Sequence, residues 1–275
     1  NTLIMPTGRN IVTYNIEGNE FIVTEPENVV HVSAQYGKLA VSEGGIYVKA
    51  NYDSVYFYDI SQHSLSLVKT FEDEIEIIGQ SEDSVFVQVL GYDSNDLNYG
   101  IFRVNFDGDV TRIGSEVLRV RAFYEQEHTF YVVTYDHNLI AYKNGERILI
   151  HQKIENESND PVFILGSIEN KILANITLQN LGAELWSIDN NDLSLELIAD
   201  INTQNNESQP SYSVVFQDTV YLWAQTSNNI MSFWKINNDK VELVKDFGLQ
   251  ENLDLCGQIS RENCLEVSYS SNDSQ

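Results

Sequence analysis

The stretch "DSNDLN", Asp93 to Asn98, sets oxygen donors at alternate positions, Asp93 and Asn95. Alternating Asp and Asn is how a loop gathers a hard cation such as calcium, because successive side chains offer oxygens to one point. A fuller calcium loop needs another Asp or Asn where Leu97 stands, and then Gly. The match is partial, so a weak cation site at Asp93 and Asn95 stands against an ordinary polar loop. Calcium is the one cofactor the sequence raises. The same loop carries Tyr92, Asp93, Asp96, Asn98 and Tyr99, which makes it a candidate for ligand recognition. A second long polar stretch, "NTQNNESQPS" from Asn202 to Ser211, is its counterpart.

Other chemistry is mostly missing. There is no G-x-S-x-G nucleophile elbow, no phosphate-binding glycine loop and no zinc pattern. The histidines, His31, His63, His128, His137 and His151, stand at no ligand spacing and read as surface or strand-end residues. Glycosidases of ring-shaped β folds work with paired carboxylates. With 41 acidic residues a pair can always be imagined, so the count does not locate one. Seven arginines and no S-x-D-x-G-x-x-W box argue against a sialidase.

The elements that must position these residues are strands. The chain has 275 residues, 42% hydrophobic, with 15 Tyr and 12 Phe, a composition that suits sheets. Net charge is −25, so duplex nucleic acid and anionic membranes are repelled and no nucleic-acid partner is expected. No run of 18 apolar residues exists, so no membrane insertion by a helix is expected.

"AELWSIDNNDLSLELIADI" from Ala183 recurs as "MSFWKINNDKVELVKDF" from Met231. Each is an aromatic strand, a polar turn and a second strand. Leu195, Leu197 and Ala199 fall on one face of the second strand, as do Val241, Leu243 and Lys245 of the later copy. Similar hairpins start at Ile11, Val55, Ile101 and Leu139, with Asp107-Gly108 and Asn144-Gly145 as tight-turn signals. The six starts are spaced by 44, 46, 38, 44 and 48 residues. Two more strand-like runs lie between successive hairpins, as in Glu74 to Gly91, Val120 to Tyr135, Pro161 to Leu178 and Ser211 to Thr226. Four antiparallel strands per unit of this length predict a β-propeller in one domain, residues 1–275, with six blades. The run Val29 to Tyr58 holds one strand too many, which leaves seven blades open. Trp186 and Trp234 recur in register, so they read as packing residues, and Trp223 as another. In a propeller the second-to-third turns and the inter-blade links share one face, and both candidate loops lie there.

The segment from Gly182 resembles the ELWxxDGT repeat of large secreted bacterial proteins. It keeps Glu184, Leu185, Trp186 and Asp189, then Leu197, Ile198, Asp200 and Ile201; Asn190 and Asn191 replace the Gly-Thr. The later copy keeps Trp234, Leu243, Val244 and Asp246, with Asn237 for the Asp. The resemblance covers about Gly182 to Phe247 and implies an extracellular propeller module, secreted, periplasmic or at the cell surface.

The two ends complete one another. "IVTYNIEGNEFIVTE" reads as the third and fourth strands of a blade, and "LDLCGQISRENCLEVSYS" as the first two, so together they close the ring as a composite blade. "NTLIMPTGRN" lacks the build of a signal peptide and "SSNDSQ" resembles the start of a linker; a fragment of a longer protein is expected. Cys256 and Cys264 are the only cysteines. With a hairpin turning near Ser260, and with the resemblance to a secreted family, a disulfide between them is expected over two free thiols. Two functional classes remain: a non-catalytic extracellular module that binds a protein or glycan, and a glycoside hydrolase or lyase with acids in a central channel. Oligomeric state has no signal in the sequence.

Overall fold

The computed structural model describes residues 2–6, 10–15, 18, 20–24, 32–33, 41–42, 44–81, 84–90, 99–115, 119–152, 162–178, 182–202, 208–216, 219–226, 231–237, 240–246, 253–254, 258–261, 264–267 and 270–271. Among them every regular element is a strand. The first sheet holds β1 (Thr2–Pro6), β2 (Ile11–Asn15) and β3 (Glu20–Thr24). The second holds β4 (Val32–Ser33), β5 (Val41–Ser42), β6 (Gly45–Ala50), β7 (Ser54–Asp59) and β8 (Ser64–Thr70). The third runs β9 (Ile75–Gln80), β10 (Ser84–Val89), β11 (Gly100–Asn105), β12 (Val110–Gly114). The fourth runs β13 (Val120–Gln126), β14 (Thr129–Thr134), β15 (Leu139–Lys143), β16 (Glu146–His151). The fifth runs β17 (Phe163–Ile168), β18 (Lys171–Leu178), β19 (Gly182–Asp189), β20 (Leu195–Ala199). The sixth runs β21 (Ser211–Phe216), β22 (Thr219–Gln225), β23 (Met231–Asn237), β24 (Lys240–Asp246).

Outside the second sheet, where β4 and β5 both pair with β6, each of these sheets follows chain order, strand beside next strand, which is the antiparallel meander of a propeller blade. The fold is an all-β propeller with six blades, as the repeat predicts. The surplus strand near Val29 to Tyr58 makes no seventh blade. Both β4 and β5 pair with β6, β4 at its Lys49–Ala50 end and β5 at its Gly45–Ile46 end. The N-terminus supplies three strands rather than two, because "TLIMP" pairs with β2 along its whole length. Four strands follow the sixth sheet: β25 (Leu253–Asp254), β26 (Gln258–Arg261), β27 (Cys264–Val267) and β28 (Ser270–Ser271).

The chain divides into two compact units: residues 1–135 with 142–148, and residues 136–141 with 149–275. In the first, Tyr47, Val55, Phe57, Ile75, Val85 and Val87 belong to one apolar cluster. In the second, Leu165, Leu173, Leu185, Val220 and Leu222 do the same. These residues alternate along central strands, so one face of each strand buries against a neighbouring sheet.

The repeated hairpins share a feature that alternation does not predict. In the third-to-fourth strand pair of four blades the register slips by one residue at the same place. The slips fall at Val55/Tyr56, Ile101/Phe102, Leu185/Trp186 and Phe233/Trp234. The extra residue on the outer strand is Val68, Ile113, Ile198 or Val244. Leu197 therefore stands opposite Trp186 while Ala199 stands opposite Leu185, on the other face. Likewise Leu243 shares a face with Trp234, and Lys245 lies on the other. The single-face reading of Leu195, Leu197 and Ala199, and of Val241, Leu243 and Lys245, is corrected by this bulge. It also places the adjacent apolar pairs: Val68 and Ile198 pack on the core while Leu67 stays exposed, whereas Leu243 and Val244 are both exposed.

The tight turns stand where expected. Asn144 and Gly145 take φ of 53° and 79°, and Gly108 takes 87°, left-handed values suited to Asn and Gly. Trp186 and Trp223 are buried, and Trp234 packs on the second unit's core.

Candidate functional site

Main-chain hydrogen bonds join second-to-third turns to the links between blades, both the link entering the same blade and the link to the next. In the first unit Phe71 N donates to Asp53 O (2.9 Å), Ile75 N to Tyr52 O (2.9 Å), Leu90 N to Glu74 O (2.8 Å) and Tyr135 N to Arg119 O (2.9 Å). In the second, Gln225 N donates to Ser208 O (2.6 Å). Turns and links thus share a face within each unit.

On that face of the first unit two similar clusters form. At the end of β6, Lys49 Nζ donates to Glu74 Oε1 at 3.3 Å and lies 5.7 Å from the centroid of the Tyr52 ring. At the start of β13, the Arg119 guanidinium donates to Glu76 Oε1 and lies 6.0 Å from the Tyr135 ring centroid. Glu76 sits on β9, a first strand, only 3% exposed. A carboxylate buried there needs a charged partner, and its hydrogen bond raises the Arg119 pKa above the usual value. The tyrosines stay open, Tyr52 60% and Tyr135 52% exposed. Tyr52 has φ of 69°, a left-handed conformation that a bulky residue rarely takes. Each cluster fixes a cation and a carboxylate together and presents an aromatic ring. Such a surface can stack and hydrogen-bond, but Glu74 and Glu76 are tied in ion pairs rather than poised as acid and base.

Nothing local in the sequence marks these residues. The pairs Lys49–Glu74 and Arg119–Glu76 span 25 and 43 residues and form only when strands of different sheets meet.

The loop residues singled out from the sequence fall differently. Tyr92, Asp93, Asn95, Asp96 and Asn98 lie outside the described residues, so the calcium expectation does too. Tyr99 is described: it packs partly buried against the first unit's core, and its carbonyl accepts from Arg112 Nη2 at 2.7 Å. It anchors the end of the loop. Among the described residues no group of three or more His, Cys, Asp or Glu is placed to hold a metal. His63, His128 and His137 occupy turns and His151 ends β16, where burial lowers its pKa; His31 is outside the described residues.

Cys256 is also outside the described residues. The expected Cys256–Cys264 disulfide therefore lies outside the described residues as well. In the hairpin of β26 and β27, Arg261 is in register with Cys264.

The motif acid Glu184 has a distinct place in the second unit. It is fully buried on β19 and accepts from Ile201 N (3.2 Å), Ser208 N (3.2 Å) and Ser208 Oγ (2.6 Å). Burial pushes its pKa up to about 7, opposed by these three donors, while Asp200 adds a small upward push. A carboxyl near neutrality resembles a general acid. Its oxygens, however, face the two ends of the link between β20 and β21, and solvent does not reach it. It ties down the ends of the "NTQNNESQPS" stretch, of which residues 203–207 lie outside the described residues.

No family model matches the chain, and no curated protein does. Solved structures do match in fold. The computationally designed Ika8 protein is 11% identical with a TM-score of 0.65, over 98% of this chain and 78% of that one. A chain of the Mitotic Checkpoint Complex is 11% identical with a TM-score of 0.56, over 99% and 82%. BamB from Moraxella catarrhalis, a β-propeller, is 11% identical with a TM-score of 0.53, over 97% and 78%. At such identity the likeness concerns the fold.

Proposed function

We propose that the chain is a non-catalytic β-propeller module that binds a protein partner through the turn-and-link face of its first unit. The observation that carries this reading is the repeated cluster: Lys49, Glu74 and Tyr52, then Arg119, Glu76 and Tyr135. Exposed tyrosines held beside fixed charges are the composition of recognition surfaces, where rings give area and charges give register. The fold of a Mitotic Checkpoint Complex chain, part of a protein assembly, supports a protein partner. A glycan is the second reading, favoured by the same exposed rings. The resemblance to a secreted repeat family supports a place outside the cytoplasm. The engagement of Glu74, Glu76 and Glu184 in hydrogen bonds supports binding over glycoside hydrolysis or lysis.

The test compares the immobilised chain with its Tyr52→Ser/Tyr135→Ser variant in an extract of the source organism, with retained proteins identified by mass spectrometry. The reading expects a protein held by the wild type and lost from the variant. A wild type that retains nothing the variant loses overturns it. Release of the partner by free oligosaccharide favours the glycan.

A further inference from the structure

We infer that the cavity between the second and third sheets receives an extended segment of the protein partner, seating one apolar side chain next to a lysine or arginine. The inference rests on the protein-binding reading and names the chemistry of what is bound. The cavity measures about 310 Å³ and lies wholly within the first unit. Its apolar lining is Phe71, Val89, Phe102 and Val110. Val89 and Phe102 belong to the packed core, 2% and 9% exposed, so the cavity reaches a rigid apolar surface. Phe71 is fixed at its backbone by the bond from its N to Asp53 O, and its ring is 6.2 Å from that of Phe102. Val110, 37% exposed, opens the outer side at the start of the edge strand β12. A cavity of this size is at the small end of ligand sites. It suits one anchoring side chain, as the central pocket of an interface does.

The rim decides the flanking charge. The run "EDEIE" from Glu72 to Glu76 supplies four acids. Glu74 and Glu76 are taken by Lys49 and Arg119. Glu72 and Asp73, at the cavity mouth, have no salt bridge among the described residues. Two cations are near. Lys69 lies on the rim. Arg112 is committed elsewhere: it donates to Tyr99 O at 2.7 Å and to Gly114 O at 3.4 Å. Two carboxylates thus face one ammonium, on a chain of net charge −25 that draws basic partners from a distance. The committed occupant is therefore a basic segment with an apolar anchor.

The experiment uses three labelled peptides: Gly-Lys-Leu-Arg-Gly, the same with Ser for Leu, and the same with Glu for Lys and Arg. Fluorescence anisotropy gives affinities, and amide shifts of the ¹⁵N-labelled chain locate the site. The first peptide should bind about tenfold more tightly than either control, a difference of about 1.4 kcal/mol. Its shifts should centre on Phe71, Val89 and Phe102, and Glu72→Lys/Asp73→Lys, which leaves the apolar lining intact, should weaken it about tenfold. Equal affinities, no binding of the first peptide, or an unaffected charge-reversed variant overturns the inference. Shifts centred on Tyr52 and Tyr135 instead overturn the cavity but leave the protein-binding reading standing. A natural partner retained equally by the charge-reversed variant has the same consequence.

Discussion

Glu184 and Glu76 are both buried carboxylates, stabilised in different ways. Burial raises the Glu184 pKa to about 7, because its neutral donors, which pull it down, offset only part of the desolvation. The folded state then holds that proton more tightly than the unfolded chain does. Its contribution to stability is full below about 4.5, the unfolded value, and is lost as pH rises through about 7. Chemical denaturation should show the wild type losing about 3 kcal/mol relative to Glu184→Gln between pH 4 and pH 8. Parallel pH profiles would remove Glu184 as the cause. Glu76 instead has the Arg119 cation. Arg119→Ala should cost about 2 kcal/mol, less than a fully buried pair because the guanidinium is half exposed. Adding Glu76→Gln to Arg119→Ala should recover part of that loss. A double variant no more stable than the single one would show that the carboxylate is not strained by losing its partner. Neither role was legible in the sequence. Glu184 was visible as a motif residue, but its burial depends on a link that returns after 24 residues.

At the scale of the element, the bulge in four outer hairpins decides which face each outer-strand residue takes, and it turns Val68 and Ile198 onto the core. Truncating Ile198 to Ala should cost about 2 kcal/mol through lost packing. Deleting Ile198 should cost more, because it removes the bulge and turns the rest of β20 over. Urea midpoints of the two variants test this, and equal midpoints would mean the register re-forms elsewhere. Gly145, at φ of 79°, should lose about 1 kcal/mol as Ala. The hairpins and their Asn-Gly and Asp-Gly turns were legible because turn chemistry is local. The bulge left only a trace, the adjacent pairs Leu67-Val68, Leu197-Ile198 and Leu243-Val244, which strict alternation cannot place.

For the whole molecule, a net charge of −25 opposes compaction by self-repulsion. Raising sodium chloride from low to near-molar concentration should therefore raise the thermal midpoint as repulsion is screened, with most of the gain at the low end. A midpoint independent of salt would mean that the charges are already neutralised locally. The same charge should keep the chain from retarding duplex DNA in an electrophoretic shift assay at any salt concentration.

The sequence by itself determined the repeat, the all-β class, the tight turns and the burial of Trp186 and Trp223. Each follows from information within about one repeat: alternation, turn residues and period. Tertiary structure decided that Thr2–Pro6 form a strand, and that the surplus strand joins the second sheet, which settles six blades over seven. It also decided which acids are engaged. Whether Glu76 meets Arg119, or Glu72 meets no cation, depends on strands of different blades arriving side by side, and in a molecule with 41 acids no local pattern singles them out.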